Sequence, residues 1–145
     1  MRVAQRKFIQ KRVEVPLFHS QIKKLPFKNE SFEIVAHCGG INTFEDIPGA
    51  LEEMIRVLKP NGALIIVDEG ISPALRKTKR GEKIVKDNRL FGLLPPLQHL
   101  PPQAKNVELR WIARDTFYMI LCQKLSKEEL KDIKPLSYEI SIRLL

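Results

Sequence analysis

The stretch from Ser31 to Glu69 reads SFEIVAHCGGINTFEDIPGALEEMIRVLKPNGALIIVDE and contains the signals for a strand, a helix and a second strand. The apolar run at 32–36 predicts the first strand, and a glycine pair ends it. Asp46 is a suitable N-cap for a helix whose apolar residues recur at helical spacing until the Pro-Asn-Gly sequence at 60–62.

The second strand is predicted at residues 63–67, which are five consecutive apolar residues without alternation. Such a run is typical of a strand that helices cover on both faces. Two strands joined by a helix form a parallel pair with a right-handed crossover. The sequence therefore predicts an α/β fold. On the helix, Glu52 and Arg56 are expected to form an exposed pair four residues apart.

The flanking sequence predicts further elements with clear end signals. Ser72 and Pro73 suit the N-cap and first position of a helix that continues to about residue 91. The remaining predicted elements are a weak helix at 1–12, a short strand at 13–18, a hairpin of strands at 107–112 and 116–123, a short helix at 127–133 capped by Ser126, and an extra strand at 137–145.

Composition limits the class of protein. The chain has 145 residues, of which 43% are hydrophobic and 29% charged, as in one globular domain. Its longest apolar runs are far shorter than the roughly 20 residues that cross a bilayer, so no membrane span is expected. The two cysteines, Cys38 and Cys122, indicate a reducing compartment, and we expect a cytoplasmic protein without a metal site, because no metal-ligand spacing is present.

Charge is the strongest compositional bias, because 25 lysines and arginines against 17 acidic residues give a net charge of +8. Many basic residues lie in the predicted helix between Arg76 and Arg89. A basic surface attracts anionic molecules, although net charge is not an argument about fold. The helix lacks interleaved aromatic residues and shows no nucleic-acid-binding motif, so we do not expect nucleic acid as its partner.

Several segments, in this order, resemble the later part of the class I S-adenosylmethionine-dependent methyltransferases. The nearest group is the small-molecule type related to the ubiquinone and menaquinone biosynthesis methyltransferases. The resemblance covers about residues 3–124. The segments that carry it are LPF at 25–27, SFEIV at 31–35, ALEEMIRVLKPNG at 50–62, LIIVDE at 64–69 and the strand TFYMI at 116–120.

The resemblance implies a Rossmann-like methyltransferase sheet that is truncated at its N-terminal side. The family's glycine-rich turn is absent, because the seven glycines of this chain form no G-x-G-x-G pattern. The acidic residue of the family's second strand is also missing, so the chain resembles a member without its first two strands. On this basis residues 1–125 are expected to be a partial methyltransferase domain and residues 126–145 a C-terminal extension.

The family's sheet order is 3-2-1-4-5-7-6, which implies an open edge in this chain. Strand three at about 13–18 and strand four at about 32–36 are separated by two neighbours in that order. Three strand spacings of about 4.8 Å leave them roughly 14 Å apart. Three arrangements are therefore open. Either strand three pairs directly with strand four, or a second chain pairs at the open edge, or the domain is loosely packed there. A homodimer through this edge is the expected outcome.

The resemblance also implies which residues contact S-adenosylmethionine, the family's cofactor. Gln21 occupies the position of the family's acidic residue, which contacts the amino group of adenine. The backbone amide of Ile22 occupies the position that contacts the adenine ring nitrogen. The His37 and Cys38 backbone faces the methionine part of the cofactor, for which Gly39 leaves room. Ligands bind outside the carboxyl ends of the strands in such sheets. Asn42, Asp68 and Glu69 lie there and are the candidates for substrate contact.

Two functions therefore remain open. The first is methyl transfer to a small-molecule acceptor, for which an anionic acceptor would suit the basic helix; the shortened chain is expected to bind the cofactor weakly or not at all. No catalytic base is assigned. A nucleophilic pair of His37 and Cys38 is disfavoured because neighbouring strand residues point to opposite faces. The second function is a non-catalytic binding or dimerisation module with a basic contact surface.

Overall fold

The computed structural model describes residues 7, 8, 10–12 and 14–131, and its central feature is a four-stranded sheet. The strands are β1 (Phe32–Cys38), β2 (Leu58–Glu69), β3 (Ala104–Ile112) and β4 (Phe117–Lys124). They lie in the order β1-β2-β4-β3. β1 pairs with β2 in parallel, and the other two pairs are antiparallel. The predicted α/β fold and C-terminal hairpin are confirmed, and the order matches the last four strands, 4-5-7-6, of the methyltransferase sheet.

Helix α1 (Ile47–Val57) connects β1 to β2 and packs on one face of the sheet. Its predicted N-cap is confirmed, because the Asp46 side chain accepts a hydrogen bond from the Gly49 N–H at 2.9 Å. The apolar stripe of α1 meets the inward side chains of β2 and β4. The buried residues of this core are Ile41, Leu51, Met54, Ile55, Leu58, Leu64, Ile66, Leu109, Tyr118, Ile120 and Cys122.

The structure shows helix α1 packed against one face of the second strand, while the predicted helix cover of its other face stays a prediction. Burial alternates along β2: Leu64 and Ile66 are fully buried, whereas Ile65 and Val67 are only partly buried. The uniform apolar run therefore does not reflect uniform burial.

The predicted strand at 13–18 is also wrong for its described residues, because residues 14–20 form no strand. A strand needs a partner for its backbone hydrogen bonds, and alternation of apolar residues does not supply one. The direct pairing of this segment with β1, one of the three alternatives given above, is therefore not found in the structure.

The single long helix predicted from residue 72 to about 91 is divided. Ser72 caps the short helix α2 (Pro73–Arg76), where its Oγ accepts from the Leu75 N–H at 3.1 Å. Thr78 then caps a second helix, α3 (Lys79–Asp87), through a 3.1 Å bond from the Gly81 N–H. A 3-10 turn over Arg89–Gly92 follows. The Thr78 cap lies inside the basic run and divides the predicted helix.

The C-terminal part follows the prediction. A turn with positive φ at Ala113, Arg114 and Asp115 joins β3 to β4. Helix α4 (Lys127–Lys131) begins after Ser126, whose Oγ accepts from the Glu129 N–H at 3.2 Å while its own N–H donates to Glu129 Oε2 at 2.7 Å. Residues 7, 8 and 10 of the predicted helix at 1–12 are helical, whereas its residues 1–6 and 9 and the predicted extra strand at 137–145 lie outside the described residues. No helix of the described part is long and apolar enough to cross a membrane.

Candidate functional site

The carboxyl ends of β1 and β2 are adjacent, and Asp68 near the end of β2 organises the loop that follows β1. We call residues 39–43 the β1 loop. Asp68 Oδ1 accepts from the Gly40 N–H at 2.9 Å, and Oδ2 accepts from the Ile41 N–H at 2.7 Å. The Glu69 N–H adds a further bond to Oδ1 at 2.8 Å. One buried carboxylate thus fixes the path of the β1 loop.

The pKa of Asp68 is lowered although its side chain is buried. Burial by itself raises the pKa, because it disfavours the charged carboxylate. Hydrogen bonds from Glu69, Gly40 and Ile41 favour the charged form and outweigh burial. Asp68 is therefore ionised at neutral pH, and both of its oxygens are occupied by backbone amides.

The glycine pair gives the β1 loop its shape. Gly39 and Gly40 have φ of 77° and 85°, in the left-handed region that favours glycine. A Cβ on Gly39 would meet nothing within 4 Å, so its Cα faces open space. The Gly39 N–H donates to the Val67 carbonyl at 2.9 Å, which holds this open surface at the end of the β1–β2 pair.

His37 lies beneath the β1 loop on the core side of β1. Its ring contacts Phe44 edge to face, with the centroids 5.4 Å apart. Burial lowers the pKa of His37, although the charge of Asp68 acts in the opposite direction. Its Nε2 is buried and has no hydrogen-bond partner among the described residues. The imidazole is consequently neutral at neutral pH.

Asn42 connects the β1 loop to β4. Its Nδ2 donates to the hydroxyl oxygen of Tyr118 at 3.0 Å. Tyr118 is fully buried, and burial raises the pKa of its phenol. This bond fixes the position of Asn42 from the core side, so Tyr118 supports the site although no motif in the sequence indicated it.

Glu69 and the β1 loop border a shallow cleft. The cleft encloses about 160 Å³, including the open space at its mouth, and is lined by Gly40, Asn42, Thr43, Asp68, Glu69 and Leu90. A hydrogen bond with the Asp68 side chain raises the pKa of Glu69, so this carboxyl keeps its proton to higher pH than an isolated glutamate. The cleft therefore presents an amide, a hydroxyl and a carboxyl group side by side.

The structure brings together most, but not all, of the residues that the sequence singled out. Asn42, Asp68 and Glu69 line one cleft, and His37 and Gly39 adjoin it. Cys38 is exposed at the end of β1. Ile22 packs against the hydrophobic core. The Gln21 side chain is exposed, and the Gln21 carbonyl accepts a hydrogen bond from the Lys24 N–H at 3.0 Å.

Three residues of the cleft were missed by the sequence analysis, namely Thr43, Leu90 and, beneath the cleft, Tyr118. Thr43 follows directly after Asn42, and its Oγ1 donates to the Gly40 carbonyl at 2.6 Å. A hydroxyl residue so soon after the glycine pair could have been predicted to lie in the β1 loop. Leu90 and Tyr118 are distant in sequence and carry no such signal. No group of three metal-ligating side chains is found in the described residues.

The residues present fit one end of S-adenosylmethionine. The surface at Gly39 is open, since a Cβ there would meet nothing within 4 Å, and it adjoins the polar cleft. The cleft is shallow and open to solvent, so it does not enclose a ligand of this size. His37, Cys38 and Gly39 would hold the methionine end, and the described chain does not enclose the rest of the molecule.

Comparisons with known proteins agree with the fold. A family model described as a methyltransferase domain matches residues 1–66. An uncharacterised methyltransferase, YodH of Bacillus subtilis, is 35% identical over 74 residues, which are 51% of this chain and 30% of the relative. A demethylmenaquinone methyltransferase of Staphylococcus aureus is 30% identical over 117 residues, which are 81% of this chain and 44% of the relative. The chain thus spans less than half the length of these curated relatives.

Solved structures show the same fold at low sequence identity. The PH0226 protein of Pyrococcus horikoshii aligns with a TM-score of 0.60 at 16% identity, over 86% of this chain and 68% of its own. A SAM-dependent methyltransferase of Aquifex aeolicus aligns with a TM-score of 0.54 at 15% identity, over 86% of this chain and 63% of its own.

The sheet order and the loop at the carboxyl ends of β1 and β2 define a Rossmann-like methyltransferase fold. The family model and the sequence relatives are methyltransferases, which confirms the resemblance to the class I S-adenosylmethionine-dependent methyltransferases given above.

Proposed function

We propose that this chain carries the methionine-facing and acceptor-facing part of a small-molecule methyltransferase site. The observation that supports this most is the Asp68 carboxylate, which binds the Gly40 and Ile41 amides and thereby keeps the Gly39 surface open beside the cleft. A strand-end carboxylate that served folding alone would not require an open glycine surface beside it.

The chemistry proposed is methyl transfer from S-adenosylmethionine, which supplies an activated methyl group on a sulfonium. The acceptor attacks this methyl in line, and the sulfur leaves with the bonding electron pair. Protein groups contribute mainly by positioning the two reactants and excluding water. In this chain the β1 loop would position the donor, while Asn42 and Glu69 would orient the acceptor from the cleft.

The acceptor class is proposed from the relatives and from charge. Demethylmenaquinone is the acceptor named for the Staphylococcus aureus relative and is therefore the first acceptor to test. An anionic acceptor is the alternative, because the basic residues of α3 and Arg89 flank the turn that contributes Leu90 to the cleft.

We also propose that the 145-residue chain by itself binds the cofactor weakly and does not turn over. Its sequence has no G-x-G-x-G turn to approach the ligand backbone, and Gln21 is neutral where the family has an acid. Contacts to the ribose and adenine are therefore few. Losing about 4 kcal/mol of contacts moves a micromolar dissociation constant to the millimolar range.

Calorimetric titration with S-adenosylhomocysteine tests this proposal. We expect a Kd above about 100 µM for the unmodified chain. A Kd in the low micromolar range would contradict the view that the chain holds only one end of the cofactor. An Asp68→Asn variant should bind still more weakly, and Asp87→Asn on the exposed face of α3 is the matched control that should leave binding unchanged.

A second candidate function is a non-catalytic module that binds polyanions through the basic residues of α3. The observation in its favour is that Lys79, Arg80, Lys83 and Lys86 are exposed and form no ion pair with a described residue. Binding to phosphates or sulfates through such residues weakens steeply with salt.

Retention on heparin over a salt series distinguishes this function from the first. The charge-reversed double variant Lys83→Glu with Lys86→Glu is compared with Lys24→Glu and Lys28→Glu, which change the net charge equally at exposed sites elsewhere. If α3 is the contact surface, the first variant loses much more retention than the second. Equal losses would indicate a general charge effect and remove this candidate.

A further inference from the structure

The turn at residues 21–24 and the segment that follows it contain no helix or strand, so contacts with helix α1 position them. Glu53 and Arg56 of α1 supply these contacts. Glu53 Oε1 accepts a hydrogen bond from the Leu25 N–H at 2.8 Å. The Arg56 guanidinium donates to the Phe27 carbonyl at 2.9 Å and to the Leu25 carbonyl at 3.3 Å. One ion pair of α1 thus holds the backbone directly after the turn.

The guanidinium of Arg56 uses each of its nitrogen atoms. Nε and Nη2 donate to the Glu53 carboxylate at 2.6 and 2.7 Å, and Nη1 donates to Asn29 Oδ1 at 2.7 Å in addition to its carbonyl bond. The side chains of Arg56 and Glu53 are only 30% and 13% exposed, so little water competes for these bonds. A planar guanidinium can bind a carboxylate and several carbonyl groups at once, whereas a lysine has a single nitrogen. The contact therefore requires arginine in particular.

The turn itself lies at the end of α1 that adjoins the β1 loop. Lys23 Nζ is 3.2 Å from Oδ2 of Asp46, which is the N-cap of α1 and follows shortly after the β1 loop in the chain. This exposed ion pair contributes little stability, but it shows where the turn lies. The Gln21 carbonyl accepts a backbone hydrogen bond within the turn at 3.0 Å, and Ile22 packs against the hydrophobic core. The turn and the β1 loop are therefore held by the same helix.

We propose that Glu53 and Arg56 are positioning residues for the adenine end of the methyl donor. They touch no ligand themselves and act through the turn, which carries Gln21 and Ile22, the residues that the family resemblance sets against adenine. A segment without secondary structure loses conformational entropy when it becomes ordered on a ligand, and the contacts with α1 make this ordering part of folding. The proposal rests on the function proposed above, because it assumes that the donor binds beside the β1 loop.

Arg56→Lys tests the proposal in the full chain, with S-adenosylhomocysteine as the probe and backbone amide NMR as the readout. The variant keeps the positive charge but cannot bind the Leu25 and Phe27 carbonyls together. Adding the probe to the unmodified chain should shift the amides of both Ile22 and Gly39. In Arg56→Lys the Ile22 shift should largely disappear, whereas the Gly39 shift is retained. The Kd should rise roughly two- to tenfold, which corresponds to about one lost hydrogen bond.

A neighbouring glutamate provides the matched control. Glu53→Gln removes the charge that orients Arg56 and should give the same pattern as Arg56→Lys. Glu52→Gln makes the same chemical change one residue earlier, at an exposed position, and should leave both shifts and the Kd unchanged. Hydrogen exchange shows whether each variant keeps its fold. The Leu25 amide should exchange faster in Glu53→Gln and Arg56→Lys, while the amides of β2 and β4 keep their protection.

The possible results separate the positioning role from the proposed function. Loss of the Ile22 shift in both variants, with the Gly39 shift retained, supports both. An Ile22 shift that both variants retain would overturn the positioning role and leave the proposed function standing. A Gly39 shift without an Ile22 shift in the unmodified chain would have the same consequence. Absence of a shift at either residue in the unmodified chain would overturn both.

Discussion

Asp68 links the stability of the fold to the shape of the candidate site. Its side chain is 2% exposed and accepts bonds from amides on two separate segments, the β1 loop and the end of β2. Hydrogen bonds to charged groups are each worth about 1.5–3 kcal/mol, and a buried donor left unsatisfied costs a similar amount. A single carboxylate thus fixes the backbone that directly follows Gly39 in the β1 loop.

An Asp68→Asn substitution should lower the free energy of unfolding by about 2–3 kcal/mol. The new amide nitrogen would face backbone N–H groups, which are also donors, so at least one of them loses its acceptor. Urea denaturation followed by circular dichroism measures the change. Asp87→Asn, at an exposed position, should change stability by less than about 0.5 kcal/mol. A loss below that value for Asp68→Asn would show that the amide bonds contribute little.

His37 should make the stability of the chain depend on mildly acidic pH. Burial lowers its pKa in the folded state below that of the unfolded chain, near 6.5. As the pH falls below about 6.5 the unfolded state binds a proton that the folded state does not, so stability decreases. Denaturation between pH 7.5 and pH 5 measures the slope, and a His37→Gln variant should flatten it. His19→Gln, at an exposed position, should leave the slope unchanged; the opposite pattern would contradict this account.

At the scale of elements, short-range signals predicted structure well where the partner was also local. The cap of α1 and the β3–β4 hairpin depend on neighbouring residues, and both are confirmed. Arg56 was expected to pair with Glu52, but it binds Glu53 at 2.6 Å, because its guanidinium also donates to the Phe27 carbonyl at 2.9 Å. That second contact joins residues far apart in sequence, which periodicity does not reveal.

The division of the predicted long helix into α2 and α3 has a close backbone contact at its centre. A Cβ on Gly81 would lie 2.1 Å from the Leu75 carbonyl oxygen. Glycine at this position lets the first turn of α3 approach the end of α2, and Thr78 supplies the cap. Helical periodicity is similar in one long helix and in two short ones, so the sequence pattern did not distinguish them.

Gly81→Ala should therefore destabilise the chain, whereas glycine to alanine inside a helix ordinarily stabilises it by about 1 kcal/mol. We expect a loss of at least about 1 kcal/mol, because the methyl group overlaps a backbone oxygen that cannot move without shifting α2. Thermal or urea denaturation measures it. Lys83→Ala, exposed in the same helix, should be nearly neutral. A gain in stability for Gly81→Ala would mean that α2 and α3 form one continuous helix.

At the scale of the whole molecule, helix α1 packs on one face of the sheet, and the carboxyl ends of β1 and β2 meet at the candidate site. The sequence predicted that Asn42, Asp68 and Glu69 would meet, because strand order alone brings carboxyl ends together. Tyr118 could not be predicted in the same way, because its hydroxyl reaches Asn42 only through the register of β4 on β2. The strand predicted at 13–18 was wrong because a strand requires a neighbour that residue patterns do not supply.

We propose that the β1 loop holds one end of the methyl donor, and mapping of backbone amide signals by NMR tests this most directly. On addition of S-adenosylhomocysteine up to about 10 mM, a range suited to weak binding, we predict shifts in the amides of Gly39, Gly40, Asn42 and Glu69, with α3 unaffected. Absence of any shift in these amides, or shifts confined to the basic residues of α3, would contradict the account.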